Sequence, residues 1–193
     1  MPPHKHQELL TAAVQRDGEA HRALLAGDRD AARGEFSEAA ELYRESWEVA
    51  PPTAYGRLVG MLKSAVLAGG GASEAEYVLA ALPDGDPQSA TASYARALAA
   101  LILEFDDDAQ AWARRMSAGG DAFARTAEAI TALAAHDAAR VGRDLKEIVR
   151  DFEQRAEHLT GVAIADTALM LEVLAGRRGM SVAIESPVLP ALG

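Results

Sequence analysis

Apolar residues recur every three to four positions along almost the whole chain, and glycine or proline interrupts the pattern at short intervals. Such a period puts one face of each segment in a core and the other in water, so the chain is built for amphipathic helices. Leu9, Leu10, Ala13 and Val14 mark a first helix over 7–16, and Asp17-Gly18 predicts a break after it. A second helix is predicted over 19–33, carrying Ala20, Leu24, Leu25 and Ala31, and a third over 36–49, with Phe36, Tyr43 and Trp47 inward. Pro51-Pro52 ends the third, because proline cannot continue a helix and restricts the residue before it. A fourth follows from 53 or 54 to 67, up to the stop at Gly69-Gly70-Gly71.

Ser73 with Glu76 predicts a capping box for a helix over 74–82, and Pro83-Asp84-Gly85-Asp86-Pro87 reads as a loop. The segment 88–105 is apolar all round, which predicts a buried, central helix. Asp106-Asp107-Asp108 opens the next helix, to Met116, where acidic side chains suit the helix dipole. Further helices are predicted over 121–135, from His136-Asp137 to about 157, and over 163–175. No segment is a convincing strand; 180–184 and 187–189 are β-leaning but short and terminal. The expected fold class is all-α, with about nine helices stacked as antiparallel pairs in a short solenoid. One domain is expected over 1–193, with helix pairs over 1–83, further pairs over 84–177 and an extended tail over 178–193.

Composition narrows the chemistry. The chain has no cysteine, which excludes disulfides, a thiol nucleophile and thiolate metal sites. Its net charge of −10 repels phosphate backbones, so no nucleic-acid partner is expected, and a basic protein or peptide partner suits it better. The longest apolar runs fall far short of the roughly 20 residues that span a bilayer, so no membrane association is expected and the cytoplasm is the expected location. The five histidines form no His-Glu-x-x-His motif, the Asp106–Asp108 run lacks the alternation of a calcium loop, and Gly69–Gly71 is not followed by Lys and Ser or Thr. No catalytic residue, metal or cofactor is therefore expected. The remaining alternative in a different class is a hydrolase or metal enzyme whose site is assembled between helices.

The helices fall into pairs. In the segment 34–51, a small residue at Ala39, an aromatic at Tyr43, a small residue at Ser46 and a proline at Pro51 resemble the second helix of a tetratricopeptide repeat. The family's glycine falls on Gly27, while its early aromatic and leucine slots hold Ala23 and Ala26. A poorer copy over 73–83 puts Ala75, Leu79 and Leu82 in the same slots, 36 residues further on, against about 34 in this repeat. The resemblance covers about residues 20–83 and implies a binding module whose first helices line a concave face. It places the candidate partner-binding residues at His21, Leu24 and Asp28, and at Tyr55 and Arg57 where the next helix opens.

The C-terminal part, with Glu157-His158-Leu159-Thr160-Gly161, an aliphatic helix, Arg177-Arg178-Gly179 and Ser186-Pro187-Val188-Leu189-Pro190, resembles the all-helical immunity proteins of bacterial polymorphic toxin systems. That resemblance implies neutralisation of a toxin domain. The plainer alternative is a closing helix and tail that cover the last apolar face. Whether the chain forms a homodimer stays open.

Overall fold

The computed structural model describes residues 4–82, 89–180 and 182–190. The predicted loop over 83–87 lies outside them. Nine α-helices and a single 3-10 turn are found among the described residues, and no strand. They are α1 (Lys5–Leu25), α2 (Arg29–Glu48), α3 (Gly56–Leu67), α4 (Ala72–Ala81), α5 (Ala90–Ile102), α6 (Asp106–Met116), α7 (Asp121–Ala134), α8 (Ala138–Glu153) and α9 (Asp166–Arg177). The described tail residues form an isolated bridge between Ser186 and Leu189 and bury Val188 and Leu189 in the core.

One turn is used four times to fold a helix back on its successor. After α1 the Gly27 N–H donates to the Leu24 carbonyl and the Asp28 N–H to the Ala23 carbonyl, the two bonds of a Schellman motif. The same pair of bonds closes α3 at Gly69 and Gly70, α5 at Glu104 and Phe105, and α7 at His136 and Asp137. The residue at the bend has a positive φ each time: 80° at Gly27, 102° at Gly69, 61° at Glu104 and 53° at His136. Four hairpins result, α1/α2, α3/α4, α5/α6 and α7/α8. In two of them an aspartate then caps the next helix: Asp28 accepts from the Ala31 N–H and Asp137 from the Arg140 N–H, each at 3.0 Å. α9 does not extend the array. It packs back against α3, α7 and α8, and its last turn closes by the same bonds at Gly179 and Met180.

The hairpins are held by small-against-large packing. Ala39, Tyr43 and Ser46 all face inward from α2, at 0%, 4% and 0% exposure, as the repeat-like spacing implies. Tyr43 lies flat against Gly60 of α3, where an added Cβ would sit 2.7 Å from the ring. Gly60→Ala is therefore expected to cost about 1–3 kcal/mol through overpacking, read as a lower denaturation midpoint; unchanged stability would mean the two helices are not in this contact. The fully buried Leu58, Met61, Leu62, Leu98, Leu101, Ile130, Leu133 and Leu169 join all of α3, α5, α7 and α9 in one continuous core. Each contributes about 1.5–3 kcal/mol on burial.

Three sequence expectations are corrected. Asp17-Gly18 does not break a helix: α1 runs through it, and the break comes at Gly27, so 29–33 belong to α2. Gly18 serves packing instead, since a Cβ there would meet the Thr160 carbonyl oxygen at 3.1 Å. The Ser73–Glu76 capping box is not made, because α4 starts two residues earlier with Gly71 at its cap. The helix predicted to 157 ends at Glu153, and 154–165 forms an irregular segment that crosses the face of the array.

Candidate functional site

That irregular segment covers a cleft. Two cavities, of about 220 and 330 Å³, lie on either side of a shared wall made by His21, Lys63, Leu159, Thr160 and Asp166. The first is enclosed by α5, α7, α8 and the segment, with Tyr94, Phe123, Ile148 and Phe152 on its sides. The second lies between α1, α2 and α3, with Val14, Asp17, Phe36, Tyr43 and Val59 around it. The segment is pinned over both by Thr160, whose Oγ1 lies 3.0 Å from His21 Nδ1.

Polar groups converge here from four helices, α1, α2, α3 and α9. Lys63 of α3 is ion-paired with Asp166 at the start of α9, with side chains only 18% and 24% exposed. Burial pulls the Lys63 ammonium down and pushes the Asp166 carboxyl up, but each overrides this in the other, so Lys63 ends above its ordinary pKa and Asp166 below. The Asp166 Oδ1 also accepts from the Thr167 N–H at 2.7 Å. Asp17 of α1 accepts from the Tyr43 hydroxyl and from the Ser64 hydroxyl, each at 2.8 Å. Burial still raises its carboxyl to about 6, while burial lowers His21 to about 4.

Asp17 and His21 therefore give opposite pH dependences. A carboxyl raised from 3.8 to about 6 adds stability at low pH that is lost as the pH rises through the folded value. An imidazole lowered from 6.5 to about 4 adds stability at neutral pH that is lost as the pH falls. Relative to wild type, Asp17→Asn is expected to gain about 3 kcal/mol as pH rises from roughly 4 to 6.5, and His21→Gln to gain a similar amount as it falls. Chemical denaturation of the three proteins across that range measures this; differences independent of pH would contradict it.

In the first cavity Arg125 and Arg155 share Asp151, at 2.5 Å from Arg125 Nη2 and 2.6 Å from Arg155 Nη2. The Arg155 guanidinium stacks on Phe152, 3.7 Å from its ring centre. Two polar atoms of residues that line this space, the Tyr94 hydroxyl and His158 Nδ1, have essentially no accessible surface and no hydrogen-bond partner among the described residues. The Thr167 hydroxyl acts on Tyr94 but lies outside hydrogen-bonding geometry.

The five residues singled out from the sequence do not share one surface. His21 is buried in the wall between the cavities, and Arg57 lines the second cavity, with its Nε donating to Ser46 Oγ at 2.8 Å and Nη2 lying 2.9 Å from His6 Nδ1. Tyr55 is buried with its ring on Trp47, centroids 5.9 Å apart, and Leu24 is half-buried between two core clusters. Asp28 is exposed and caps α2. The sequence reading passed over Asp17, Lys63, Tyr94, His158 and Asp166. The signal was there: Lys63 is the one charge between Leu58 and Leu67, and Asp166 is the one charge between Gly161 and Leu171.

Among the described residues no group of three His, Asp or Glu side chains is placed to hold a metal ion, and no helix is long and apolar enough to cross a membrane. The chain matches no family model, no curated protein and no solved structure.

Proposed function

We propose that the protein is a non-enzymatic binding module of tetratricopeptide-like helix pairs, which takes a peptide segment of a basic protein partner into this cleft. The observation that carries the reading is Leu159. It borders both cavities, yet 81% of it faces solvent on the segment that crosses the cleft. An apolar side chain on the lip of a cleft with apolar walls and a few convergent polar groups suits a bound segment. The four hairpins closed by one turn support the helix-pair reading, and the rigid array preorganises the cleft. Steering comes from outside it: Asp30, Glu38, Glu41, Glu45 and Glu48 are exposed along α2, and the whole chain carries −10.

Affinity capture from a lysate of the source cells tests this with two variants. Ala122 is exposed at the rim of the first cavity, so Ala122→Trp narrows the mouth without touching the core. The wild type is expected to retain a basic protein that Ala122→Trp loses at any salt concentration, while Glu41→Gln/Glu45→Gln weakens capture only at low salt. A partner held equally by Ala122→Trp, or none held by the wild type, overturns the reading.

A further inference from the structure

Resting on the cleft as the binding site, we propose that its first cavity takes a carboxylate that carries a small aromatic or branched apolar body. The charges facing the space are unequal. Lys63, Arg125 and Arg155 stand against only two carboxylates, Asp151 and Asp166. One further negative charge balances them, whereas a phosphate dianion would leave an excess. Two donors wait for an acceptor there. The Tyr94 hydroxyl is a donor, and His158 Nδ1 is one in the tautomer that carries its proton on that nitrogen; both are buried without partners. A buried polar atom in that state costs stability, and a ligand oxygen that reached either donor through a small side-chain shift would recover it. Beside His21, Thr126, Thr160 and Thr167, the walls are apolar, formed by Phe123, Ile148, Phe152, Val162 and Ile164.

Size sets the body. The cavity holds about 220 Å³, and a cavity of about 150 Å³ is enough for benzene. A ring or a branched chain of similar size fits beside the carboxylate, and a nucleotide does not. The carboxylate can belong to a free small acid or to the C-terminus of a peptide ending in an apolar residue. The chemistry in the cavity is the same for both.

The full chain is titrated with phenylacetate and phenylacetamide, and with a short peptide ending in phenylalanine as the free acid and as the amide, followed by amide NMR shifts. The acids are expected to shift residues around Tyr94, Phe123 and His158, and each amide to bind at least about tenfold more weakly, having lost a charged acceptor. Tyr94→Phe is expected to weaken acid binding about tenfold without lowering the melting temperature, since it deletes a hydroxyl that bonds nothing in the free protein. Tighter binding of the peptide acid than of phenylacetate assigns the carboxylate to a C-terminus; equal binding assigns it to a small acid. Equal affinity for acid and amide, or no shift with any acid at millimolar concentration, overturns the inference. Capture of a protein partner that stays sensitive to Ala122→Trp in that event keeps the cleft as the binding site and removes only the carboxylate.

Discussion

Arg178→Ala is expected to destabilise the fold by about 3 kcal/mol, a fall in Tm of roughly 6–12 °C for a chain of this size. The Arg178 side chain is only 3% exposed. It pairs with Asp106 at 2.7 Å and donates to the Leu101 carbonyl at 2.7 Å and the Leu133 carbonyl at 3.4 Å. Those carbonyls lie in the last turns of α5 and α7, where they also accept the Glu104 and His136 N–H groups and where helix ends carry partial negative charge. One guanidinium thus ties the end of α9 to two hairpins. Truncation would leave two carbonyls and a carboxylate without it. Arg177 does the same for α3, donating to the Val66 and Gly70 carbonyls at 3.2 and 2.9 Å. Thermal and chemical denaturation check the prediction, with Arg178→Lys as the control. A loss below about 1 kcal/mol, typical of an exposed pair, would contradict it.

The second large effect lies at the wall of the cleft. Removing one partner of the Lys63–Asp166 pair leaves the other charge sparsely solvated, so Asp166→Ala or Lys63→Met is each expected to cost about 3 kcal/mol. Replacing both, as Lys63→Met/Asp166→Leu, is expected to return stability to within about 1 kcal/mol of wild type, because two desolvated charges are exchanged for apolar packing. A double-mutant cycle measures the coupling directly. The stable double variant then separates roles: its fold persists, yet capture of the partner is expected to fail because the polar wall of the cleft is gone. Additive single effects, or capture unchanged in the double variant, would contradict this.

The helices were legible because their apolar period is strong and their ends are marked by glycine, proline and aspartate. Where the reading slipped, the cause was one residue serving two purposes. Asp17-Gly18 has the composition of a turn, yet the aspartate points inward to Tyr43 and Ser64 and the glycine lets Thr160 approach. Residues 154–157 continue the charged pattern of α8, so nothing in their local propensity announces that the chain leaves the helix to cross the cleft. The repeat-like stripe at Ala39, Tyr43 and Ser46 was read correctly as packing, but Gly27 is the bend between helices and not a position within the first of them.

The cleft itself was much less legible. Asp17, Lys63, Tyr94 and Asp166 come from four helices spread over most of the chain, and only tertiary packing brings them together. Each could be noticed as a polar residue on an apolar face, but not assigned to a common site. The Arg177-Arg178-Gly179 run was read by resemblance as part of an immunity-protein signature. Its side chains cap the ends of α3, α5 and α7, and Gly179 closes α9 with a φ of 71°, so packing accounts for these three residues.

Hydrogen exchange of the chain alone and bound to the partner it captures tests the binding cleft most directly. Slowed exchange is expected in 154–165, at the start of α9 and along the cleft-facing parts of α5 and α7. Protection confined to the outer face of α2, with the cleft exchanging as in the free protein, would contradict it.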